Sequence, residues 1–212
     1  MNAGQNNAFV PAGNCKYIAL NKPFQLLCQF SQPEDSDKAT LASLNLPAHV
    51  YPVGRLDYDS EGLLILTDDA RLNSKLLDPA QNHCRTYWAQ VENIPSAQAL
   101  ETLRQGVIIE SVKTRPAQTR ILTAEPRLPE RNPPIRTRKT IPTSWLELSL
   151  TEGRNRQVRK MTAAVGCPTL RLVRAAIGNL QLELLALGSG EWTLLKSEQV
   201  ALLFQKPHIA QP

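Results

Sequence analysis

Histidine is scarce in this chain. His49, His83 and His208 are the only three in 212 residues, and no HExxH site or other metal-binding spacing can be built from them. Cysteine is equally sparse. Cys15, Cys28, Cys84 and Cys167 lie far apart with no CxxC pair, which argues against a structural zinc site and fits separate reduced thiols in a cytoplasmic protein. His83 beside Cys84 falls in an extended stretch, where neighbours point to opposite faces, so the pair reads as incidental. No apolar run approaches the roughly 20 residues of a membrane helix. The opening MNAGQNNAFVPAGN lacks the charged and apolar regions of a secretion signal and reads as a flexible arm over 1–14. No internal repeat is visible.

What is present is ordinary in bulk. A hydrophobic fraction of 42% with 20% charged residues is typical of a globular chain, and 212 residues can bury one substantial core or two small ones. Lysine and arginine outnumber aspartate and glutamate by 24 to 19. That excess suits a polyanionic partner without requiring one.

Apolar periodicity predicts strands over 16–20, 63–67, 85–92, 107–109, 118–123, 145–150, 169–175 and 191–195. Helices are expected over 37–44, 68–77, 96–105 and 198–204, with Ser96 as N-cap and Gly106 as the stop of the third. A further helix is expected within TEGRNRQVRKMTAAVG, where Val158, Met161 and Val165 form one stripe and Arg156, Arg159 and Lys160 another face. Strands and helices mix without regular βα alternation, so the fold class is α+β with a largely antiparallel sheet. Segment 124–142 differs. Its prolines break both helix and ladder, and Arg127, Arg131, Arg136, Arg138 and Lys139 outweigh two glutamates, which describes a basic surface loop able to touch phosphates.

The stretch VGRLDYDSEGLLILT places Asp57, Asp59 and Glu61 at alternate positions ahead of an apolar run. A polar turn entering a strand accounts for it, and so does a catalytic carboxylate within such a turn. A calcium loop does not. Pro52 and Gly54 sit where its entering helix would end, Leu63–Leu66 reads as strand, and position twelve is Asp68 rather than a glutamate.

GRLDYDSEGLLILT, EGRNRQVRKM and LRLVRAAIG, together with YIALNKP, RTYWAQVEN and GEWTLL, resemble the ribosomal RNA pseudouridine synthases of the RsuA group. The match runs in order over about 16–195. Because the catalytic pattern begins almost at once, it looks like the shorter, large-subunit branch without an S4 RNA-binding domain, with the catalytic domain over 15–205 and a tail over 206–212.

The resemblance implies isomerisation of a uridine in 23S ribosomal RNA to pseudouridine, with no metal or organic cofactor. Asp57 takes the place of the catalytic acid, Tyr87 that of the residue stacking on uracil, and Arg159 that of the cation paired with the aspartate. Arg55 is expected to fix the loop. Arg154, Arg156 and Lys160, with Arg136, Arg138 and Lys139 of the proline-rich loop, are candidate RNA contacts. The partner implied is 23S RNA or a large-subunit assembly intermediate, met by a monomer in the cytoplasm with no membrane involved. A non-catalytic RNA-binding or ribosome-assembly factor on the same fold is the alternative, and it would have no use for an acid beside a base pocket.

Overall fold

The computed structural model describes residues 9–135 and 140–206. Its centre is a mixed sheet. In chain order the strands are β1 (Tyr17–Lys22), β2 (Tyr51–Pro52), β3 (Glu61–Thr67), β4 (Arg85–Glu92), β5 (Ile108–Ile109), β6 (Val112–Lys113), β7 (Gln118–Ile121), β8 (Thr143–Leu150), β9 (Thr169–Ile177), β10 (Leu180–Gln181) and β11 (Trp192–Leu194). The helices are α1 (Ala70–Leu77), α2 (Ala97–Gln105), α3 (Gln157–Ala164) and α4 (Ser197–Leu202). The main path runs β11-β1-β3-β9-β4-β8-β7, with β2 on β3, β10 on β9, and β5–β6 as a separate hairpin.

Each pairing on that path is antiparallel except β3 with β9, which is parallel over Glu61↔Val173 and Gly62↔Arg174. The expected α+β class with a largely antiparallel sheet is what the chain forms. The parallel join is short because β2 takes the same edge of β3 at Leu66 and Thr67. Past Gly62 the two halves of the sheet therefore diverge, and a seam opens between them. Gly62 makes the join possible. Its φ is +101°, and a Cβ there would stand 2.5 Å from the Arg174 carbonyl oxygen.

Alternation along β1 and β3 buries both faces. Tyr17, Ala19, Leu63 and Ile65 pack with Leu72 and Leu76 of α1 and Val200 of α4. Ile18, Leu20, Leu64 and Leu66 pack on the other side with Leu26, Leu41 and Leu56. A third cluster joins Ala89, Val91, Leu146 and Leu148 to Leu103 of α2 and Val158 and Met161 of α3.

Two expectations from sequence are corrected. The helix expected over 37–44 shrinks to a 3₁₀ turn, Leu41–Leu44, whose preceding Thr40 makes no side-chain cap. The arm over 1–14 is not free along its whole length. Phe9 is buried, stacked on Phe204 at 5.1 Å and edge-on to Tyr17. Segment 124–142 carries no helix or strand among its described residues, as its prolines require. No described helix is long and apolar enough to cross a membrane.

Candidate active site

The seam opens into a cleft of about 710 Å³. Loop 53–60 forms one wall, the end of α1 and β4 another, and loop 150–157 the third. The first wall is held mainly by its backbone. The Val53 amide donates to the Ile65 carbonyl at 2.8 Å, the Gln25 amide to the Tyr58 carbonyl at 2.9 Å, and the Ser60 amide closes a turn on the Asp57 carbonyl at 3.0 Å. Beneath it lies Lys22, fully buried, whose Nζ donates to the Ser60 carbonyl at 2.7 Å and the Pro23 carbonyl at 2.9 Å. Burial pulls its pKa down to about 8. Sequence reading passed over this lysine, although a charged residue inside the apolar alternation of YIALNK was the available signal.

The three carboxylates separate in role. Asp59 is saturated. Arg156 forms two parallel bonds to it, both 2.8 Å, and Arg159 reaches its carbonyl at 2.7 Å and its carboxylate at 3.4 Å. Those guanidiniums, Arg156 first, hold the Asp59 pKa below the usual carboxylate range. Glu61 is buried and takes both arms of Arg171, at 2.9 and 2.7 Å. Arg171 also donates to the Pro129 carbonyl at 2.9 Å, which ties the proline-rich loop to the site. Asp57 is different. It faces the cleft, and its nearest cation is Arg156 at 3.6 Å; no hydrogen bond to its carboxylate occurs among the described residues. It is the acid left available for chemistry.

Tyr87 stands on β4, lines the same cleft and packs partly against two of the hydrophobic clusters. A break in register between Thr86 and Tyr87 gives it Arg174 of β9 as cross-strand partner. The structure thus brings Asp57, Tyr87 and Arg156 to one cavity, with Arg174 and Arg85 in its lining.

Several expectations need correcting. Arg159, read as the cation paired with Asp57, pairs with Asp59 instead. Arg156 sits in the left-handed conformation at the start of α3 (φ +51°), and one helical turn then carries both guanidiniums to the same carboxylate. Arg55 does not fix the loop. It is exposed, lines the cleft and makes no hydrogen bond or ion pair among the described residues. Arg154 is engaged by protein, donating to the Ile109 and Val112 carbonyls at 3.0 and 3.1 Å. Lys160 pairs with Glu110 at 2.6 Å. These two fasten the β5–β6 hairpin rather than stand open to phosphate. Arg136, Arg138 and Lys139 lie outside the described residues. No cluster of metal-ligating side chains occurs among the described residues.

Residues 16–164 match the family described as RNA pseudouridylate synthase. The chain belongs to that family. A relative from Xanthomonas axonopodis pv. citri, named ribosomal large subunit pseudouridine synthase E, is 57% identical over 169 residues, covering 80% of this chain and 89% of that protein. A protein of the same name from Vibrio parahaemolyticus is 46% identical over 187 residues, covering 88% and 76%. Among solved structures, one described as a pseudouridylate synthase superposes with a TM-score of 0.73 at 25% identity, covering 90% of this chain and 74% of that one. An uncommitted carboxylate and an aromatic ring thus line one cleft in a pseudouridylate synthase.

Proposed function

We propose that this isomerase converts a uridine of large-subunit (23S) ribosomal RNA to pseudouridine, with Asp57 as the reacting acid. Support for the substrate comes from relatives at 46–57% identity that carry the large-subunit name. Support for the acid is a single observation: of the three alternating carboxylates, Asp57 alone is unclaimed by a bidentate arginine.

The reaction breaks the bond between ribose C1′ and uracil N1, turns the base, and rejoins it through C5. A uridine inside folded RNA is out of reach and must be flipped out at a cost of a few kcal/mol. Stacking on Tyr87 offsets about 1–3 kcal/mol of it. Asp57 then attacks C1′ or C6, or assists loss of a ribose proton. Arg156, 3.6 Å from its carboxylate, helps to fix where the acid stands in the cleft. Arg55, exposed and without a partner among the described residues, is placed to meet an RNA phosphate.

Mapping pseudouridine in ribosomal RNA from cells with and without the protein tests the substrate. One large-subunit position should lose the modification when the protein is absent and regain it on complementation. Asp57→Asn should fail to complement while still binding large-subunit RNA in vitro; full complementation by that variant would remove Asp57 from the mechanism.

A further inference from the structure

Two cations in the cleft have no task in the steps above. Arg174 on β9 is only 3% exposed, yet it contributes to the cleft lining. Its Nε donates to the Leu63 carbonyl at 2.7 Å, while its Nη2 is buried with no partner. Arg85 lies two residues before Tyr87, hence on the same face of β4, and lines the same cleft. It is half-buried, with one bond from Nη2 to the Leu76 carbonyl at 2.9 Å. Neither guanidinium pairs with a carboxylate among the described residues.

That is costly, because a buried cation without a counter-charge loses hydration that one hydrogen bond to a carbonyl does not restore. The same strand shows the usual solution. Arg171, three residues earlier and equally buried, is neutralised by both oxygens of Glu61. Among the described residues neither Arg174 nor Arg85 has such a partner; burial lowers the Arg85 pKa, Tyr87 works against that, and the charge of Arg174 adds to it. Between them in the sheet stands Tyr87, the ring proposed to carry the base. A positive, water-poor floor beside a base platform calls for a negative charge that exists only while the base is bound.

We propose that Arg174 and Arg85 form an anion hole for the uracil ring, holding the negative charge that collects on its oxygens when N1 parts from C1′. This rests on the isomerase reading above. If Asp57 attacks C1′, an aspartate oxygen bonds to that carbon and the N1–C1′ electron pair stays on N1, shared with O2 and O4. If Asp57 removes the ribose C2′ proton instead, the same pair stays on the base, and the aspartic acid returns that proton to C2′ as C5 adds to C1′. If Asp57 attacks C6, the pair displaced from the C5–C6 double bond reaches O4. Each route makes the base anionic beside an acid that began as an anion, so a cationic floor lowers all three barriers. The charge is discharged as C5 bonds to C1′ and the aspartate is released; one proton leaves C5 and one returns to N1, so the product is an isomer.

The test compares Arg174→Lys, Arg174→Gln and Arg85→Gln with the unaltered protein under single turnover. The substrates are large-subunit transcripts made with uridine or with 5-fluorouridine. Fluorine withdraws electrons and stabilises the uracil anion by itself, so the arginines matter less to it; it also leaves C5 no proton to lose, so the rate read on both substrates is cleavage of the N1–C1′ bond rather than release of pseudouridine. The expected result is about a 100-fold loss of rate on uridine, a markedly smaller loss on 5-fluorouridine, and RNA affinity within about twofold in a filter-binding assay. Equal losses on both substrates would reduce the arginines to structural supports, and a loss confined to affinity would make them a phosphate site; either outcome overturns the proposal. If Arg174 variants prove unfolded by circular dichroism, Arg85→Gln decides on the same criteria. Absence of any turnover by the unaltered protein on any ribosomal transcript would instead defeat the isomerase reading.

Discussion

Asp57, Asp59 and Glu61 follow one another at two-residue intervals, and the path of the turn decides which cation each meets. Glu61 enters β3 beside Arg171, Asp59 faces the first turn of α3, and Asp57 is left toward the cleft. The motif singled out Asp57, and the fold leaves that carboxylate without a bidentate arginine. The partner of Arg159 was not legible, because 55–61 offers two aspartates at similar depth, and only the left-handed start at Arg156 selects between them. Asp59→Asn should therefore slow isomerisation by about tenfold or more by loosening both guanidiniums, while the RNA dissociation constant changes little; rate and binding assays separate the two. Lys22 gives a pH signature. Its pKa falls from 10.5 to about 8 on folding, so the folded state holds that proton less firmly. The stability linked to this site is fully present only above the unfolded value and is lost as pH falls through about 8. Against Lys22→Met, the unaltered protein should gain stability as urea denaturation is moved from about pH 7.5 to about pH 9.5.

At the scale of elements, long alternating runs were the most readable. RTYWAQVE and WLELSL became β4 and β8 because each exposes one face to a helix layer and the other to solvent or cleft. Two-residue pieces such as β2 and β10 have too little pattern to announce themselves, and they form because neighbouring strands present an unpaired edge. The parallel β3–β9 join was equally invisible, since it depends on a contact across more than a hundred residues. Its weak point can be named. Gly62→Ala would drive a methyl group to 2.5 Å from the Arg174 carbonyl oxygen at a φ that disfavours any side chain. A loss of about 3 kcal/mol or failure to fold is expected in chemical denaturation. Glu61→Gln should cost about 3–5 kcal/mol by stranding Arg171, and it should also release the segment around Pro129 to proteolysis.

For the molecule as a whole, the class and the single run of family motifs were legible, while the docking of irregular segments was not. Phe9 sits in a stretch of polar and small residues with no periodicity, so only its packing on Phe204 and Tyr17 reveals that the chain there belongs to the core. Phe9→Ala should lower stability by about 3 kcal/mol in urea denaturation. In the proline-rich loop, Arg131 lies over the ring of Phe24 at 4.3 Å. That contact, with the bond from Arg171 to the Pro129 carbonyl, holds the described part of the loop near the wall that carries Asp57. Replacing Arg136, Arg138 and Lys139 with alanine should weaken RNA binding and reduce the slope of log affinity against log salt by about 2; an unchanged slope would leave these residues without a phosphate contact.

The β3–β9 join also orders events in time. Asp57 and Tyr87 precede in the chain both the helix that carries Arg159 and the strand that carries Arg171 and Arg174. The acid and the cations around it thus come from stretches about a hundred residues apart, and the cleft is complete only once β9 has joined β3. Cutting the gene within the proline-rich segment should accordingly yield two fragments, each inert alone, whose reassembly is reported by the return of catalysis.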